Sequence, residues 1–115
     1  MIIVSKNEGE KIPYEQNGNK LCFDDDLTIN LAKREEDDAV HIDICFDGDG
    51  ALVVGAAAGR RYVAEIDIPA REYIETEEDA EEEEQRKTRR EPVPLDMDKV
   101  TLTLWAIGKE NEDEQ

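Results

Sequence analysis

The sequence predicts an all-β fold, a small antiparallel sandwich or open barrel of about seven to nine short strands. Three observations carry this expectation. Apolar residues recur with a period of two in several runs, most clearly over 100–107, where Val100, Leu102, Leu104 and Ala106 alternate with Thr101, Thr103, Trp105 and Ile107. Turn-forming residues separate the runs, among them Asn17-Gly18, Asp24 to Asp26 and the DGDG of 47–50. The one segment with helical signals, within 72–91, has no apolar face and so could not cover a sheet as a βαβ crossover does.

Taken in order, the run MIIV at 1–4 suits an edge strand or a strand paired in parallel. Residues 11–23 read as a hairpin turned at Asn17-Gly18, a pair that favours a type I′ turn, with Pro13 confining its strand to an edge. Leu27, Ile29 and Leu31 alternate with Thr28 and Asn30 in a further strand, and the charged loop 33–38 leads onward. Over 40–68 the runs VHIDICF, ALVVGAAAG and RRYVAEIDI read as an antiparallel three-stranded meander. Its middle run, 52–58, is apolar on both faces and small-sided after Val54, so it is expected at the centre of a sheet or where another backbone packs closely.

Residues 72–91 form a charged insertion, expected either as a disordered excursion or as a projecting helix. Thr76 with Asp79 resembles a capping box, Glu82 with Arg86 and Glu83 with Lys87 are i,i+4 pairs, and Pro92 would stop the helix. Val93 and Leu95 bring the chain back, 96–99 turn it, and 100–107 make the last strand. The acidic tail 108–115 is expected to lack order. The whole, 1–115, is read as one β domain carrying this insertion.

A chain of 115 residues can bury one modest core. Its residues are 38% apolar and 39% charged, a balance that alternating strands suit because only half of each strand must be apolar. The net charge is -17, from 14 basic against 31 acidic residues, which argues against direct contact with a nucleic-acid backbone or an anionic membrane surface. Gly55 and Gly59 have the GxxxG spacing of membrane helix pairs, but their apolar run is far short of about 20 residues. MIIV is likewise too short for a signal peptide. Cys22 and Cys45 form no CxxC or Cys/His spacing, so both are expected as buried free thiols in a reducing cytoplasm.

Each chemical motif has a simpler reading. His41, Asp43 and Cys45 share a strand face, but residues four apart on a strand lie about 13 Å from each other, too far for a thiol and an imidazole to meet. Histidine occurs once in the chain, so no catalytic set is assigned and the protein is read as a non-enzyme. The DGDG at Asp47 resembles the start of a calcium loop, yet Ala58 stands where the twelfth-position glutamate belongs, so it is read as a turn. Asp24 to Asp26 alone do not make a cation site, and no metal is assigned. Gly55 to Gly59 with Arg60 and Arg61 lacks the pattern of a nucleotide loop, so no cofactor or small-molecule ligand is assigned either.

What remains are candidate interaction residues: Trp105 and Ile107 on the threonine face of the last strand, the basic pair Arg60 and Arg61, and the close-packing positions Gly55 and Gly59. Trp105 has a second reading, as part of a minor core. The functional expectation is a non-catalytic structural or protein-interaction module, an accessory or assembly component of phage or prophage type, acting through a protein partner or self-association. The alternative is an acidic nucleic-acid mimic that inhibits a basic DNA-binding protein.

Overall fold

Period-two alternation sorts the strands into layers. The computed structural model describes residues 1–57, 59–77 and 88–107. Its strands are β1 (Ile2–Ser5), β2 (Tyr14–Asn17), β3 (Lys20–Phe23), β4 (Leu27–Asn30), β5 (Val40–Phe46), β6 (Leu52–Val54), β7 (Arg61–Ile68), β8 (Tyr73–Glu77), β9 (Thr88–Pro92) and β10 (Thr101–Leu104). A five-stranded sheet in the order β1-β10-β7-β5-β6 is joined by a three-stranded sheet β2-β3-β4 and a ribbon β8-β9. The fold is all-β and sandwich-like, with no closed barrel. Among the described residues, no helix is long and apolar enough to cross a membrane.

The core lies between the two larger sheets. Ile42 and Ile44 of β5, Ala64, Ile66 and Ile68 of β7, and Leu102 and Leu104 of β10 form one cluster with Ile12, Leu21, Phe23, Ile29 and Leu31. No charged or polar residue is buried among the described residues, so this core depends on apolar burial alone. A register shift between Ile44 and Cys45 opposes Ile44 to Ala64 but Cys45 to Tyr62, leaving Val63 as the extra residue. This bulge explains why Val63 and Ala64 are buried in succession.

The edge strand expected at the start is β1, and it pairs in parallel with β10, Ile2 opposite Thr101 and Val4 opposite Thr103. The DGDG segment is a turn: the Asp47 carboxylate accepts from the backbone N–H of Asp49 at 2.8 Å and of Ala51 at 2.9 Å. These donors hold its carboxyl below the usual range.

Several expectations need correction. The run after Val54 is not the centre of the sheet. β6 is a three-residue edge strand, and β5 lies between β6 and β7. Gly55, at φ +100°, takes the chain out of extended backbone immediately after Val54, so the apolar run cannot continue as a strand. The first hairpin turns one residue later than expected, with Gly18-Asn19 between the paired Asn17 and Lys20. Only Gly18 there has positive φ, whereas type I′ needs two such residues. Those two occur at Asp24 and Asp25, φ +55° and +53°, where the Asp26 N–H donates to the Phe23 carbonyl at 2.9 Å. The strand of Leu27 ends at Asn30, whose side chain caps the one-turn helix α1 (Leu31–Arg34).

The charged insertion, where described, is neither helical nor unpaired. β8 and β9 form an antiparallel ribbon from Tyr73 opposite Pro92 to Glu77 opposite Thr88. Its base is tied down by the Arg71 N–H to the Glu36 carbonyl at 2.8 Å, by the Tyr73 hydroxyl to Asp37 at 2.6 Å, and by the Val93 N–H to the Glu72 carbonyl at 2.8 Å. The pairs Glu82 with Arg86 and Glu83 with Lys87, the capping partner Asp79, and the tail 108–115 lie outside the described residues.

Candidate functional site

The outward face of the five-stranded sheet carries the residues that alternate with the core. On β5 these are His41 and Asp43, and on β7 they are Glu65 and Asp67. Antiparallel register sets His41 directly opposite Asp67 and Asp43 opposite Glu65. One imidazole therefore stands among three carboxylates. His41 Nδ1 lies 2.6 Å from an Asp67 oxygen, and its Nε2 lies 2.8 Å from Asp43 and 3.4 Å from Glu65. The ligand atoms of His41, Asp43 and Glu65 all fall within 4.8 Å of one another.

These geometries favour the charged imidazolium. The hydrogen bond to Asp67 is the largest contribution, partial burial opposes it, and the bond to Asp43 adds to it, so the His41 pKa is raised. With both nitrogens facing carboxylate oxygens, the protonated ring can donate at each.

A second row of groups fixes the carboxylates. The Trp105 indole N–H donates to Glu65 Oε2 at 2.6 Å, leaving Oε1 turned towards His41. Tyr62 stacks on Trp105 with ring centroids 5.0 Å apart, and the Lys6 ammonium stands 5.2 Å from the indole centroid. Partial burial and the neighbouring Asp43 carboxylate push the Tyr62 phenol up. Trp105 thus belongs to a small aromatic and polar cluster on the outward face.

The other candidate interaction residues are dispersed. Ile107 leaves the threonine face, because strand pairing in β10 ends at Leu104, and it packs against the main core. The Arg61 guanidinium stands 5.3 Å from the Phe46 ring centroid, and the Arg60 N–H donates to the Phe46 carbonyl at 2.7 Å. Gly55 and Gly59 both lie against β5, and the Gly55 N–H donates to the Asp43 carbonyl at 2.7 Å. A Cβ at Gly59 would lie 2.6 Å from Cys45 Cβ and 2.8 Å from its Sγ, so the backbone contact expected in this region is with Cys45.

That contact covers the Cys45 thiol, which is 1% exposed. Burial first, then the Asp43 and Glu65 carboxylates, push its pKa up, which keeps it protonated and poorly nucleophilic. Cys22 is half-buried, and neither cysteine is in a disulfide.

Sequence reasoning finds the pairing of His41 with Asp43 on one face but misses Glu65 and Asp67. The signal lies in the second alternating run, YVAEIDI, whose polar positions complement VHIDI once the two strands are known to be direct neighbours. Reading 52–58 as the strand between them hides that relation. No family model, no curated protein and no solved structure matches this chain.

Proposed function

We propose that the protein is a non-catalytic interaction module that takes up an extended, basic segment of a partner protein along the free edge of β1. The observation that supports this is the run Ile2, Ile3 and Val4 at the sheet edge, 51%, 46% and 41% exposed. Among the described residues no strand pairs with its outer side. Ile2 and Lys6 donate their N–H groups inward to Val100 and Leu104 at 2.8 Å, so the amides of the intervening Ile3 and Ser5 point outward. An exposed apolar edge of this kind is a template for strand addition, in which backbone bonds give affinity and alternate side chains give selectivity.

Charge selects the occupant. At a net charge of -17, two copies repel each other, whereas a basic strand is attracted. An assembly component of phage or prophage type is one setting in which such a module would act. Phosphate mimicry draws less support, because the carboxylates of the ordered face converge on His41 and are not spread in a row.

The test is calorimetry of the full chain with short peptides alternating Lys and Val, with Glu/Val peptides as the control. Binding of the basic series, weakened by salt and lost in Ile3→Pro, supports the reading, since this substitution removes an outward amide and leaves the β10 ladder intact. Equal affinity for both series, or none for either, sinks it, as does a salt-stable dimer in light scattering whose interface is β1.

A further inference from the structure

The cluster on the outward face is a separate matter from the β1 edge. We propose that His41, Asp43 and Glu65 form a binding site for a divalent transition-metal cation of the Zn²⁺ class, with Asp67 as the positioning residue behind the histidine. Donor chemistry narrows the ion: imidazole with two carboxylates suits first-row transition metals, whereas Ca²⁺ needs six or more oxygens and Mg²⁺ seldom takes nitrogen. Three protein ligands leave an open position for water.

Geometry supplies the rest. Ligands bonded at about 2.0–2.2 Å to a tetrahedral ion lie roughly 3.3–3.6 Å from each other. His41 Nε2 already lies 2.8 Å from Asp43 and 3.4 Å from Glu65, so small side-chain movements would close the set around one ion. Two of the ligands also have an outer partner. Asp67 sits on Nδ1 at 2.6 Å, which fixes the ring so that Nε2 faces the two carboxylates. The Trp105 indole holds the far oxygen of Glu65 at 2.6 Å. A carboxylate behind the histidine and a donor behind an acid are the usual support of a metal site.

The alternative occupant of Nε2 is a proton, which the same carboxylates would hold. A proton offsets one of the three carboxylate charges around the ring, whereas a dication offsets two. The outward face leaves room for such an ion, since His41 is 46% exposed at its side chain and Asp43 and Glu65 are 22% and 20% exposed.

Because histidine occurs once, its imidazole resonances report this site alone, free of weak binding by the other acids. The experiment is a Zn²⁺ titration of chelator-treated full-length protein, followed by ¹⁵N imidazole NMR and by metal content after dialysis. The expected result is one equivalent bound, with Nε2 shifting while Nδ1 keeps its proton. Asp43→Asn and Glu65→Gln should each weaken binding at least about tenfold, and Asp67→Asn about 10- to 100-fold with a change in tautomer. All three lie on the outward face, and a retained amide spectrum confirms that each variant folds. Imidazole resonances that do not move in excess Zn²⁺, or that shift identically in the carboxylate variants, overturn the proposal.

Discussion

The two faces of the five-stranded sheet use the same strands and differ in almost every other respect. Inward, Ile42, Ile44, Ala64, Ile66, Ile68 and Leu102 are 5% exposed or less and belong to one apolar cluster. Outward, one residue along from each, His41, Asp43, Glu65 and Asp67 bond to one another and to Trp105. Backbone pairing therefore serves both ends at once. The inward side chains hold the register, and the outward side chains inherit from it an arrangement that they could not hold alone in water.

The sharpest test of this contrast is on β7, where adjacent positions face opposite ways. Ile66→Ala removes a fully buried side chain and should lower stability in urea unfolding by about 2–5 kcal/mol, whereas Glu65→Gln should cost under about 1 kcal/mol. Comparable losses would mean that the polar cluster is as structural as the core.

Gly59→Ala probes the place where the outward face is covered. Its Cβ would fall 2.6 Å from that of Cys45, and overpacking of this kind should destabilise by about 1–3 kcal/mol. Cys45→Ala does not relieve the Cβ contact but removes the sulfur at 2.8 Å, so it should recover part of the loss in a double-mutant cycle. Full additivity would show that the loop yields instead.

A smaller effect of opposite sign is expected at the turn of the covering sheet. Asp25 has φ +53° without being glycine, and Asp25→Gly should stabilise by about 0.5–1 kcal/mol, seen as a higher urea midpoint at unchanged slope.

The smallest effect is the pH dependence of the outward face in chelator-treated protein. The His41 pKa is raised, mainly by its bond to Asp67 and then by Asp43. The groups facing it are Asp43 on its own strand and Glu65 and Asp67 on β7. The stability that these contacts add is fully present below the unfolded histidine value of about 6.5 and is lost as pH rises through the folded value. For a half-exposed group screened by solvent this is under about 1 kcal/mol, and Asp67→Asn should flatten the profile measured by unfolding across that range.

Legibility in the sequence followed the range of the interaction. Strand identity, and the facing of residues within an unbroken strand, are local: VHIDICF and AEIDI state which side chains lie together, whereas the bulge at Val63 turns Tyr62 to the outward face against strict alternation. The edge role of 1–4, the DGDG turn and the pairing of His41 with Asp43 were legible for the same reason. The ribbon at 73–77 and 88–92 was hidden because its strands lack apolar alternation and are joined through their backbones, with Arg90 stacked 4.2 Å over Tyr73. At Ile107 the two part company, since alternation continues in the sequence although strand pairing stops at Leu104.

By itself, then, the sequence determined an all-β chain, the residues that each unbroken strand presents to one side, and a net charge of -17. Only the tertiary structure decided that β5 neighbours β7 and in which register, and so that Glu65 and Asp67 meet His41. A period of two specifies a strand's faces but says nothing of which strand lies beside it. That choice is settled by non-local packing and by where the backbone turns, here at Gly55, which ends β6 early and leaves β5 between β6 and β7.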